Sequence, residues 1–234
     1  IIAVTSGGAL ARLVRDLHAP LVEIPAGLPP RGAFGNLFGI LPALGSSWIA
    51  DDLRAELTEA IAHVRDLRDR FRPESPMTKN RAKRFAVRIR GTTPIVYGAH
   101  PFHAIAKRWQ TQLNENAKMM AFSSALPEAD HNEIIGWASD ASARRFTAII
   151  LRDADEAPEM RRRLDATAVL FGKRARVEQV RDNHTQLLSR MLGSLYLGDY
   201  LSLYLATLRR VDPLPVAPIQ ELKRRLRRPL PGAR

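Results

Sequence analysis

Four short stretches carry side chains able to do acid, base or anion chemistry. In QLNENAK, at 112–118, Glu115 stands between Asn114 and Asn116. It lies off the apolar repeat Ile105, Trp109, Leu113, Ala117 and Ala121, and the two asparagines lower helix propensity around it. The stretch reads in one of two ways: a local irregularity that presents a carboxylate, or an exposed turn in which Glu115 pairs with Lys118. In PEADHNEIIGW, at 127–137, Asp130 followed three residues later by Glu133 has the spacing of a capping box, which predicts a short helix with His131 in its first turn. The helix dipole disfavours a protonated imidazole there and leaves it able to take up a proton. A histidine that only fills the turn fits the same spacing.

In IQELKRRL, at 219–226, Lys223 sits beside the apolar stripe Ile219, Leu222 and Leu226. Either its ammonium is partly buried, or its stem covers apolar surface while the head stays in water. In GLPPRGAFG, at 27–35, prolines stiffen a loop and Gly32 permits close approach, so Arg31 is either an anion-binding group or an ordinary exposed arginine.

The elements around these stretches alternate in type, which predicts an α/β fold. Ile1–Ser6 and Pro20–Ala26 read as buried parallel strands with a helix from about Ala9 to Leu17 between them. A loop at Pro29-Pro30 precedes a short apolar helix ending near Gly45, and a longer helix runs from Asp51 to Arg70, capped by Asp51 or Asp52. Leu53, Leu57, Ile61, Val64, Leu67 and Phe71 form its core-facing stripe. The polar, proline-containing segment Arg72–Asn80 marks a domain boundary, and it divides the chain into 1–74 and 75–234. Beyond it a basic amphipathic helix covers Arg81–Ile89. Pro94–Gly98, Phe146–Leu151 and Arg176–Val180 read as strands; Phe102–Phe122, Asn132–Ala138, Glu156–Leu170, Asn183–Leu208 and a segment after DPLPVAP read as helices. The tail RRPLPGAR reads as frayed.

Composition narrows the classes. The 234 residues include no cysteine, so no disulfide framework or Cys-ligated metal site is expected, and an intracellular protein is the default reading. The six histidines form no metal-binding pair, and neither metal nor cofactor is expected. The apolar stretch Thr185–Leu208 is interrupted by Arg190 and Asp199 and reads as a core helix, not a membrane span. The net charge of +12 is spread over Arg81–Arg90, Arg161–Arg163 and Lys223–Arg228 without aromatic interleaving, which argues for a solvated face that attracts small anions and against a nucleic-acid partner. An apolar strand at the first residue, with no initiator Met, is expected of a fragment whose first domain begins upstream.

Taken together, TSGG (5–8), PPRGAFGNLFGILP (29–42), PIVYG (94–98), KRWQTQLNENAKMMAF (107–122), PEADHNEIIGW, LGDYLSLYLA (197–206) and VDPLPVAPIQELKRRL (211–226) resemble the bifunctional phosphoglucose/phosphomannose isomerase family. The resemblance spans nearly the whole chain, and NENAK with HNE sixteen residues after its glutamate is its most specific part. It implies two sugar-isomerase (SIS) domains, the first incomplete at its N-terminus, in a cytoplasmic homodimer that interconverts glucose 6-phosphate, and mannose 6-phosphate, with fructose 6-phosphate through a cis-enediolate. A ligand-sensing SIS module without turnover is the competing reading. Under the resemblance Glu115 is the base at C2 and C1. His131 helps open the sugar ring in the neighbouring subunit's active site, Lys223 is the ring-opening lysine, and Arg31 steadies the enediolate. The family's Ser/Thr-rich phosphate loop would precede TSGG, and Leu214 stands where many relatives carry threonine.

Overall fold

The computed structural model describes residues 2–45 and 51–227 and divides the chain into two compact units, 1–55 and 56–234. In the first unit β1 (Ala3–Thr5) and β2 (Leu21–Glu23) pair in parallel, Ala3 opposite Leu21 and Thr5 opposite Glu23, across helix α1 (Gly8–Asp16). Gly7 and Gly8 take φ values of 126° and 76°, backbone that a side chain would strain, and so turn β1 directly into α1. The expectation of two buried strands is corrected: of their residues Ala3 alone is buried, and α1 packs on the pair and buries Ala11 and Val14. A 3-10 turn at Pro30–Ala33 then leads into α2 (Phe34–Leu44).

Helix α3 (Asp51–Phe71) follows. The capping role expected of Asp51 or Asp52 falls on side chains outside the described residues, as does nearly all of the expected frayed tail. The expected α3 stripe is only partly enclosed: Phe71 is buried, Leu53, Leu57, Val64 and Leu67 are half-buried, and Ile61 is exposed.

The second unit is built on a four-stranded parallel sheet in the order β4-β3-β5-β6, formed by Phe122–Ala125, Thr93–Gly98, Phe146–Arg152 and Arg176–Arg181. Alternation along β3 and β5 sends Tyr97, Ala148 and Ile150 into a cluster with Trp137, Leu164 and Phe171, which come from α6 (Ala129–Ser139) and α7 (Pro158–Phe171). Val96, Ile149 and Leu151 are buried as well, so the central strands are apolar on both faces, as a parallel sheet between helix layers requires. Helices α4 (Arg81–Ile89), α5 (His103–Asn116) and α8 (Leu187–Arg209) pack together, and α5 also lies on β3 and β4. Trp109 of α5 is fully buried, and its indole Nε1 donates to the Ser194 carbonyl at 2.9 Å. Gly198 makes room for that ring: a Cβ there would come within 2.3 Å of Nε1.

One element departs from its expected form. The helix expected over Phe102–Phe122 stops at Asn116, and β4 occupies Phe122–Ala125 at the sheet edge. Asn114 Oδ1 accepts from the Ala121 amide at 2.9 Å, replacing a helical partner with a side-chain one and closing the turn. Ala117 and Ala121 are buried, so the apolar spacing continues after the helical path has ended.

Candidate active site

Glu115 lies in the last turn of α5 with its side chain partly buried. The asparagines on either side serve the fold. Asn114 closes the 117–121 turn, and Asn116, 7% exposed, donates to Ser202 Oγ of α8 at 2.9 Å. The expected pairing of Glu115 with Lys118 takes a different form: Lys118 Nζ donates to the Glu115 backbone carbonyl at 2.6 Å. Nζ also donates to the carbonyls of Pro213, at 3.1 Å, and Pro215. Arg209, at the end of α8, donates from Nε to the Ala117 carbonyl at 2.9 Å and from Nη2 to the Lys118 carbonyl at 3.3 Å. The turn carrying Glu115 is thus joined to the strap 211–216 that leads into α9 (Ala217–Leu226). The sequence offered Lys118 only as an ion-pair partner of Glu115, and Arg209 not at all. The available signal was the position of Lys118 inside the motif itself.

Lys223 is exposed, and α9 has no buried residue. The reading of a partly buried Lys223 is therefore corrected, because Ile219, Leu222 and Leu226 are themselves 41%, 56% and 75% exposed and offer the lysine no enclosed surface. What the fold does bring together is the beginning of α9 with the end of α5.

His131 is exposed in the first turn of α6. The capping box around it is corrected: Glu128 is the N-cap residue, and no side chain caps the helix. Asp130 instead accepts from Thr167 Oγ1 at 2.8 Å, and Glu133 accepts from Tyr97 Oη and from Ser124 Oγ at 2.6 Å. Strand and helix neighbours that a local spacing cannot reveal claim both carboxylates. Burial, and then the hydrogen bond to Glu133, push the Tyr97 phenol well above its ordinary pKa, so it stays a neutral donor.

Strand β4 lies between Glu115 and His131 along the chain. Helix α5 starts beyond the C-terminal end of β3 and runs back for 14 residues, about 20 Å, to reach the beginning of β4. Strand β4 then runs back toward the C-terminal end of β3 before α6 begins. Within one chain the two candidate groups lie toward opposite ends of β4, Glu115 before the strand and His131 after it. Arg31 is partly buried in the first unit, in the 3-10 turn after Pro29.

Among the described residues no group of three His, Asp or Glu side chains is arranged to hold a metal, and no helix is long and apolar enough to cross a membrane.

Residues 78–226 match the bacterial phosphoglucose isomerase C-terminal SIS domain. A bifunctional phosphoglucose/phosphomannose isomerase from Caldicellulosiruptor bescii is 36% identical over 230 residues, 97% of this chain and 68% of that protein. The chain belongs to this isomerase family. A second member, from Thermoplasma volcanium, is 32% identical over 226 residues, covering 96% of this chain and 68% of its own length. The chain therefore spans about two thirds of the relatives it matches. In fold it resembles a glucose-6-phosphate isomerase-like protein from Thermus thermophilus, with a TM-score of 0.64 and 20% identity over 83% of this chain and 68% of that one.

Proposed function

We propose that this SIS-family chain is an aldose–ketose isomerase acting on glucose 6-phosphate, and on mannose 6-phosphate, to form fructose 6-phosphate. The observation that carries the proposal is the Glu115 turn: the family's glutamate stands on a helix end tied by five side-chain hydrogen bonds, three from Lys118 and two from Arg209, next to the strap that delivers the Lys223 helix.

In this reading the Glu115 carboxylate removes the C2 proton of the open-chain aldose, giving a cis-enediolate, and returns it at C1. The hydroxyl proton passes from O2 to O1, so the carbonyl moves from C1 to C2 with no change in composition. Arg31 supplies positive charge to the developing oxyanion. Lys223 and His131 exchange protons with the ring oxygen and the anomeric hydroxyl when the ring opens. His131 serves the site of a second copy in a homodimer, in keeping with its place beyond the end of β4 opposite to the one Glu115 precedes. Residues 1–74 form the C-terminal part of a first SIS domain and 75–234 a second; the enzyme works in the cytoplasm and takes no metal. Leu214 narrows the handling of the mannose epimer.

The test is proton NMR of fructose 6-phosphate incubated with the full-length protein without added metal. Formation of glucose 6-phosphate and mannose 6-phosphate is expected, with loss of turnover but retained sugar-phosphate binding in Glu115→Gln. Turnover by that variant would remove Glu115 as the base, and binding without turnover by the unaltered protein would make it a sensor.

A further inference from the structure

Resting on the isomerase reading, we infer that Lys118 is a positioning residue that couples the base Glu115 to Lys223 by holding the α9 strap against the end of α5. Three observations lead there. First, Lys118 has a φ of 52°, the left-handed region, just past the C-cap Ala117. Glycine occupies this position at many helix ends, because an L side chain there is disfavoured. A lysine kept at such a position has a use for its side chain.

Second, the use is visible. The ammonium has three donors, and they meet three carbonyls: Glu115 from the helix end, Pro213 and Pro215 from the strap. The strap is suited to being held at one point. Prolines fix its backbone at 213 and 215, and Asp212 Oδ1 accepts from the Leu214 amide at 2.9 Å to make a tight turn. Third, α9 has little else to hold it, since none of its side chains is buried. The placement of Lys223 therefore depends on where the strap leaves the α5 end, and the Lys118 ammonium donates to both.

The structural role and the positioning role separate in a double-mutant cycle on the full-length enzyme. Lys118→Met removes the donors and keeps much of the length. A misplacement on the order of 1 Å in a catalytic constellation costs about 100-fold, so kcat should fall by about that factor, with KM changed far less. Lys118→Arg keeps the charge but presents a flat fork that does not converge on three carbonyls, and should not restore kcat. In a Lys223→Met background the further loss from Lys118→Met should shrink to less than about threefold, because the residue being positioned is gone. A loss from Lys118→Met that is as large with Met at 223 as with Lys would overturn the inference, and so would a Lys223→Met enzyme as active as the unaltered one. If Lys118→Met does not fold, Lys118→Gly serves in its place, since glycine suits the backbone while still lacking the ammonium. Glu115→Gln tells the two levels apart: turnover in that variant defeats the isomerase assignment of the base, whereas an inactive Glu115→Gln with an additive cycle defeats the positioning role alone.

Discussion

Asp199 shows at the scale of one residue how the helix bearing Glu115 is held. Its carboxylate accepts from Arg108 Nε at 3.1 Å and Nη2 at 2.7 Å, and from Gln112 Nε2 at 2.7 Å, tying α5 to α8. Burial nevertheless raises its pKa above the usual 3.8, with Arg108 and Gln112 opposing the shift. The folded chain thus binds this proton more tightly than the unfolded one, and the group's contribution to stability falls as pH rises through the window above 3.8. Removing the arginine leaves a half-buried carboxylate without its cation. Arg108→Met is expected to cost about 2 kcal/mol at pH 7, below the range for fully buried pairs because both side chains touch solvent. The deficit relative to the parent should be smaller at pH 5 than at pH 7, because protonation removes the stranded charge and lower pH favours it. Asp199→Asn leaves the Arg108 cation without its counter-ion but keeps an amide oxygen that accepts from it, and should cost less than Arg108→Met. Denaturant melts of the three proteins at both pH values check the order.

At the scale of elements, the contact between α5 and α8 sets where Glu115 stands. It combines the Arg108–Asp199 pair, the Trp109 indole on the Ser194 carbonyl, the Asn116–Ser202 hydrogen bond and the gap at Gly198. A methyl group at 198 would overlap the rigid indole, and overpacking of this kind costs about 1–3 kcal/mol. Gly198→Ala should lower the unfolding free energy by that amount and, by shifting α5, should reduce kcat as well. Asn116→Leu removes the tie to Ser202 without adding an overlap at Trp109. It should destabilise by about 1 kcal/mol, the worth of one buried hydrogen bond. Urea melts paired with turnover measurements separate the two effects.

For the whole molecule, the separation of Glu115 from His131 makes a prediction about assembly. In a two-fold dimer whose sites each draw the glutamate from one copy and the histidine from the other, a heterodimer of Glu115→Gln and His131→Ala has one intact site. Equal mixing after dissociation and reassociation yields heterodimers as half of the dimers, so about a quarter of the parent activity should return from two inactive proteins. Activity that stays at the level of the separate variants would place both groups in one chain's site. A native mass spectrum confirming heterodimers belongs with the measurement.

Much of the fold follows from the chain order alone. PIVYG and FTAIIL are short, mainly apolar runs rich in β-branched and aromatic residues, as strands covered on both faces are, so β3 and β5 were legible. The family was legible because NENAK and HNE keep their spacing in sequence. Contacts made across the fold were not legible. Phe122, read as the end of a helix, instead opens the strand Phe122–Ala125, which pairs with β3 at the sheet edge. Asp130 and Glu133 match a local cap and bind Thr167, Tyr97 and Ser124 instead. Lys118 finds acceptors 95 and 97 residues away. Periodicity and local spacing record which face of an element turns inward, and the motif names Glu115; which distant groups meet that face, and what holds Glu115 in place, is decided only when the elements pack.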